Sequence, residues 1–177
     1  METQLKMVGR IIILLFVLFN FYSCKNKITP EKLGKDLISQ NINILIDSIE
    51  RFDMRAIKRP KKFEHIKIEK ISVGLFDSIK IEKNEVGKQH KNKFLSFTIN
   101  YNDIKNYKSD YSINLTKFKN DDVKTVFVKF YNLKIDKNFA SIIVKKIIGI
   151  SMIEDIYYFK KENDKWVFVR KEFLGMG

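Results

Sequence analysis

The stretch TVFVKFYNLKIDKNFASIIVKKIIGISMIEDIYYFKKENDKWVFVRKEF, residues 125–173, decides the fold class. Val, Ile, Phe and Tyr recur in it in short runs, and polar clusters at 136–138 and 162–164 separate those runs. Branched and aromatic residues favour strands, whereas Asp and Asn favour turns. The stretch therefore predicts strands over 125–133, 139–148, 153–161 and 165–173, and the short links between them indicate an antiparallel arrangement.

Two further segments upstream alternate between apolar and polar residues. Leu95, Phe97, Ile99 and Tyr101 alternate with Ser and Asn, and residues 111–116 repeat the pattern. Such alternation is typical of a half-buried strand with one face towards water. The sequence thus predicts an antiparallel sheet of about six strands, with 66–73 and 76–81 as weaker candidates.

A helix is predicted before the sheet. Thr29 can cap it, Pro30 suits its first position, and apolar residues then recur every three or four positions as far as Phe52. We expect the helix to end between Asp53 and Ile57, before Pro60. The prediction is one α+β domain over 29–177, with one long N-terminal helix packed on a curved sheet. This order of elements resembles NTF2-like and cystatin-like domains, a resemblance that implies a ligand pocket between helix and sheet.

The first residues have the layout of a secretion signal. Lys6 and Arg10 precede the unbroken apolar run at 11–19, and a small residue, Ser23, precedes Cys24. A spanning helix needs about 20 apolar residues, roughly twice the length of this run. A permanent transmembrane anchor is therefore less well supported than a cleaved leader.

Phe21, Ser23 and Cys24 together resemble the signal of bacterial lipoproteins, in which a small residue precedes an invariant cysteine. The resemblance implies cleavage after Ser23, lipid on Cys24, a signal peptide over 1–23 and a tether over 24–28. It also implies a cell-envelope location, with a membrane as partner through the lipid. An ordinary cleaved signal and an uncleaved anchor remain as alternatives. Cys24 is the only cysteine, so the chain forms no internal disulfide.

The formal net charge of +13 accompanies a composition rich in Lys, Ile and Asn. That composition is typical of an AT-rich genome, so the overall charge carries little functional information. One local basic run follows the predicted helix: Arg55, Lys58, Arg59, Lys61 and Lys62. It predicts either solvated cations at a helix C-terminus or a surface for anionic lipid headgroups. No nucleic-acid partner is expected for an exported chain that lacks nucleic-acid-binding motifs.

No motif for catalysis, a metal or a cofactor is present. The glycines lack dinucleotide-loop and P-loop spacing, and no metalloprotease motif occurs. His65 and His90 lie in Lys-rich surroundings that predict surface positions. We therefore expect a non-catalytic, membrane-tethered module that binds another envelope protein and uses no cofactor. A small-ligand carrier with an enclosed aromatic pocket is the alternative, and a hydrolase has less support.

Overall fold

The computed structural model describes residues 29–56, 58, 60–63, 65, 67–82, 95–120 and 122–177. In this part of the chain a helix, α1 (Pro30–Leu45), precedes an eight-stranded sheet. The strands are β1 (Ser72–Phe76), β2 (Ser78–Ile81), β3 (Leu95–Thr98), β4 (Ile113–Thr116), β5 (Thr125–Ile135), β6 (Phe139–Ile148), β7 (Ser151–Glu162) and β8 (Lys165–Met176). The predicted α+β class is confirmed. The described part contains no helix long and apolar enough to cross a membrane.

The helix begins as predicted but ends early. The Thr29 hydroxyl accepts a hydrogen bond from the Lys32 amide, with Pro30 in the first helical position. The prediction of an end between Asp53 and Ile57 is wrong, because α1 ends at Leu45. Asn41 already departs from helical dihedral angles, and Ser48 adopts a left-handed conformation that turns the chain. The apolar spacing in the sequence extends beyond Leu45 because Ile49 is also buried, although it lies in a 3₁₀ helix (Ile49–Phe52) and not in α1.

Strands β5 to β8 form the predicted antiparallel meander. Strand β6 has the predicted bounds, and β5, β7 and β8 extend two or three residues beyond theirs. The turn between β7 and β8 places Asn163 and Asp164 at positive φ, as a two-residue hairpin turn requires.

At the edge of β5 that faces away from β6, the prediction of antiparallel pairing is wrong. Strand β1 lies between β4 and β5 and pairs with both in parallel, and β2 continues along the same edge of β5 with a parallel pairing of Ile81 with Leu133. The link from β4 to β5, residues 117–124, returns the chain to the end of the sheet where β4 began. The strand predicted through Tyr101 stops at Thr98, because Asn100 and Asp103 form a capping box that starts a 3₁₀ helix.

The core lies between α1 and one face of the sheet, which we call the inner face. The helix contacts β5, β8 and the 3₁₀ helix Tyr101–Ile104. Two polar side chains of α1 bind the edge strand β8, where Gln40 accepts from the Trp166 amide and Asn41 donates to the Trp166 carbonyl. The fully buried members of this core include Leu37, Ile38, Ile42, Val128, Phe130, Ile142, Val144 and Tyr157.

Candidate functional site

Within the described residues, no element comparable to α1 packs on the opposite face of β5 to β8, which we call the outer face. Strand alternation places on it a row formed by Tyr131, Ile143, Ile156 and Glu172, which are register partners across four strands. Tyr131, Ile143 and Ile156 are half-buried, whereas their inner-face neighbours Val144 and Tyr157 are fully buried. The outer face therefore presents apolar side chains to the surroundings of the domain.

A groove of about 360 Å³ lies beside this row, where β5 meets β6, and we call it the outer groove. A second register row, Lys134, Ser141, Tyr158 and Arg170, crosses it. Phe139 lines the same groove and leaves 63% of its surface exposed. The residues that line the groove are Lys134, Ile135, Asp136, Phe139, Ala140, Ser141, Tyr158, Phe159, Lys160, Val169 and Arg170.

Arg170 and Glu172 hold the Tyr158 side chain in place near the centre of this region. The Arg170 guanidinium lies 4.5 Å from the centre of the Tyr158 ring, and the Tyr158 hydroxyl donates to Glu172 at 3.1 Å. Arg170 also pairs with Glu172 at 3.0 Å. A tyrosine held by such contacts loses little conformational entropy when a partner binds, which is why aromatic and Arg side chains are frequent anchors of interfaces.

The cations of the outer groove are locally neutralised. Lys134 pairs with Glu82 at 3.3 Å, and Lys160 pairs with Glu162, in addition to the pair at Arg170. These exposed pairs contribute little stability, but they leave the groove without a strong excess of positive charge. The groove is therefore suited to an apolar or mixed polypeptide surface rather than to a polyanion.

A second polar cluster lies on the inner face beyond the end of α1, and we call it the Asp47 network. One carboxylate oxygen of Asp47 accepts hydrogen bonds from Lys146 and from the Tyr157 hydroxyl, each at 2.7 Å. The other oxygen accepts from Lys171 at 2.7 Å. The Lys146 side chain is 1% exposed, and that of Asp47 is 33% exposed. The network fastens the chain after α1 to three adjacent strands.

Electrostatics explain the protonation states in the Asp47 network. Partial burial acts to raise the pKa of Asp47, but hydrogen bonds from Lys146 and Lys171 outweigh it and lower that pKa to about 2. Burial lowers the pKa of Lys146, and the Asp47 carboxylate opposes that change. Burial and the same carboxylate raise the pKa of Tyr157. The three groups satisfy one another, which is the pattern of a structural ion pair.

The basic run predicted from the sequence lies ten residues beyond the helix, not at its C-terminus. The helix-terminus explanation is therefore wrong. Arg55 instead binds the buried Asp53 carboxylate, and the side-chain hydrogen bond from Arg55 lowers the pKa of Asp53 to about 2. Lys58, Lys61 and Lys62 are exposed.

Several predicted positions fall outside the described residues: Ser23, Cys24, Arg59 and His90. His65 is exposed, in agreement with its predicted surface position. Across the described ranges, no group of three or more His, Cys, Asp or Glu side chains is arranged to hold a metal ion.

The sequence reasoning did not identify the outer groove or the Asp47 network. The alternation over 153–161 was a usable signal, because it places Ile156 and Tyr158 on the face opposite Tyr157. No local signal pairs Asp47 with Lys146, which lies 99 residues further along the chain. A second cavity, of about 330 Å³, is lined by residues that include Phe52, Met54 and Ile148. Neither cavity is lined by α1, unlike the pocket predicted between helix and sheet.

Comparison of the chain with protein-family models, with curated proteins and with solved structures gave no match in any of the three. The surfaces of the domain itself therefore carry the functional interpretation.

Proposed function

We propose that the protein is an exported lipoprotein, held to a membrane by lipid on Cys24, whose domain binds another envelope protein through its outer face. The observation that carries the binding proposal is the half-exposed apolar row at Tyr131, Ile143 and Ile156, continuous with the outer groove. An exposed apolar surface of this kind, rimmed by charged side chains, is typical of a protein-binding site.

The chemistry of the described clusters favours binding over catalysis. The charges of the Asp47 network are satisfied within the fold, and the cations of the outer groove have carboxylate partners. A catalytic site requires a nucleophile, acid or base that can reach a substrate, and a charged group already paired with a neighbouring side chain is less suited to that role. The inner face is filled by packed side chains, and this favours a protein-binding module over a carrier with an enclosed pocket.

Site-specific photocrosslinking in the producing cells tests the outer face. A photoreactive amino acid is introduced at Ile143 or Ile156, and at Lys105 as the matched control on the α1 side of the domain. Because both test positions are half-buried on the uncovered face, we expect a discrete crosslinked partner from them and none from Lys105. Equal crosslinking at all three positions, or none at either test position, would exclude the outer face as the binding surface.

Replacement of Cys24 with alanine tests the anchor separately. The lipid contributes about 0.8 kcal/mol per buried methylene, and two or more chains are required for stable anchoring. The Cys24→Ala protein is therefore expected in the soluble fraction when its leader is cleaved at another bond, and in the membrane fraction with its leader still attached when it is not cleaved. Membrane retention together with normal processing contradicts lipidation at Cys24, whatever the crosslinking shows.

A further inference from the structure

The end of the domain that contains the turn between β6 and β7, which we call the base, carries large apolar side chains on protruding turns. Ile150 follows Gly149 in that turn and is 98% exposed, and Phe118 in the link before β5 is 79% exposed. The Lys119 ammonium donates to the Gly149 carbonyl at 2.9 Å, so the two turns lie side by side. No packing role within the described domain explains these side chains.

Two more exposed apolar residues belong to the base. Met54 and Val123 both line the 330 Å³ cavity, together with Ile148 at the end of β6. Each lies on a turn or 3₁₀ helix rather than on a flat strand surface. Single exposed apolar residues are common on protein surfaces, but several protruding turns at one end form a patch.

Exposed cations accompany this apolar patch. The segment 51–70, which supplies Met54, contains eight basic and three acidic residues. Within it Lys58, Lys61 and Lys67 are exposed, and Lys67 lines the 330 Å³ cavity with Met54 and Val123. Lys119 adds positive charge from the link before β5, whereas Lys124 in that link pairs with Glu69 at 2.6 Å. Apolar tips accompanied by Lys side chains complement a bilayer interface that contains anionic headgroups, because the tips enter the acyl boundary while the cations remain among the phosphates.

The base lies at the opposite end of the sheet from the start of α1. A Cβ on Gly34 would lie 3.0 Å from Leu133, near the end of β5, whereas Val123 lies two residues before the start of β5. These ends are about 33 Å apart, because β5 rises about 3.3 Å per residue. The five residue steps from Cys24 to Thr29 reach at most about 17 Å. The base and the lipid on Cys24 can therefore contact the same membrane only when β5 is tilted by about 30° or less from the membrane plane.

We infer that the base is a docking surface for an anionic phospholipid bilayer, through which the domain lies along the membrane instead of standing away from it. The inference rests on the proposed membrane location. Docking of the base requires neither lipid on Cys24 nor a partner on the outer face, so it can be tested with the unlipidated protein. The orientation along the membrane additionally requires the anchor at Cys24.

The test is vesicle sedimentation of the mature chain, residues 24–177, carrying Cys24→Ser. All core residues lie between Leu33 and Trp166, so this chain retains the entire core. Vesicles that contain about 30% phosphatidylglycerol are compared with vesicles of phosphatidylcholine alone. We expect binding to the anionic vesicles, at least about tenfold weaker binding to the neutral ones, and loss of binding in about 0.5 M salt.

Two matched variants locate the contact. Ile150→Asp changes an almost fully exposed side chain and leaves its turn glycine in place, so we expect it to fold normally and to weaken anionic-vesicle binding about tenfold. Phe139→Asp introduces the same charge at an exposed apolar residue of the outer groove, at the other end of β5, and is expected to leave binding unchanged. Equal losses in the two variants, or no binding of the parent protein to anionic vesicles at low salt, overturns the inference.

Discussion

Replacing Asp47 with alanine is expected to destabilise the domain in two ways, by removing the interactions of its carboxylate and by leaving a buried lysine behind. The substitution removes the acceptor of three hydrogen bonds, from Lys146, Tyr157 and Lys171. Lys171 can turn towards water, because its side chain is 28% exposed. Lys146 cannot, because its side chain is 1% exposed. A buried ammonium without a carboxylate partner costs more than the pair itself contributes.

The magnitude follows from the contacts. Lowering the pKa of Asp47 from 3.8 to about 2 corresponds to about 2.4 kcal/mol. Because the carboxylate is one-third exposed, solvent screening reduces this to about 1.5 kcal/mol. The uncompensated burial of Lys146 adds on the order of 1 kcal/mol. We therefore expect Asp47→Ala to lower the free energy of unfolding by about 2.5 kcal/mol.

A double-mutant cycle separates these contributions. Lys146→Met keeps the apolar stem and removes the charge, while Asp47 retains Lys171 and Tyr157, so it should cost only about 1 kcal/mol. Added to Asp47→Ala, it removes the uncompensated ammonium and should raise the free energy of unfolding again. Urea unfolding followed by circular dichroism measures all four proteins. If Lys146→Met lowers the stability of Asp47→Ala further, the assumption that Lys146 is costly without its partner is wrong.

The pH dependence of Asp47→Ala provides an independent measurement. Burial already lowers the pKa of Lys146 in the folded parent protein, and removal of Asp47 eliminates the larger of the two carboxylate interactions that oppose this change, leaving that of Asp155. The unfolded chain then binds more protons than the folded one at alkaline pH, below the ordinary lysine value of about 10.4. Relative to the parent protein, the Asp47→Ala variant should therefore gain stability as the pH rises from 7 towards 10.

Three further outcomes are expected. In the parent protein, the stability contributed by Asp47 and Asp53, whose folded pKa values are about 2, is complete above about pH 5 and lost as the pH falls towards 2, which an acid titration by circular dichroism detects. Gly34→Ala brings a Cβ to 2.8 Å from the Phe97 ring and should cost about 1–2 kcal/mol in urea unfolding, whereas Gly175→Ala, with no atom within 4 Å, serves as the neutral control. Asp164 has a φ of +62°, which glycine adopts without strain, so Asp164→Gly should raise the free energy of unfolding by about 0.5–1 kcal/mol. A lower urea midpoint of unfolding than that of the parent protein would contradict the assigned turn.

The strands were predictable because their signals are local. Branched and aromatic runs separated by Asp and Asn located β5 to β8, and a two-residue link allows only an antiparallel hairpin. The position of β1 was not predictable in this way, because its partners Ile113 and Val126 are distant in sequence. Apolar periodicity also overestimated the length of α1, because the periodicity indicates burial and Ile49 is buried without being α-helical.

Binding surfaces were harder to locate than strands, for a related reason. Each register row on the outer face combines side chains from four strands, so no single segment displays it. The basic run could be recognised in the sequence because its residues are close together in the chain. The exposed apolar residues that accompany it in the proposed membrane surface, such as Phe118 and Ile150, come from distant segments.

The way the inner face is closed limits where a partner can bind. The helix covers it as far as Leu45, and beyond that point the Asp47 network and Ile49 continue the cover. A partner that bound the inner face would have to expose the α1 core and separate Lys146 from its carboxylate, and together these steps cost several kcal/mol. The outer face requires neither step, because its apolar row is already accessible. A partner that binds without unfolding the domain therefore uses the outer face, the base or an edge of the sheet.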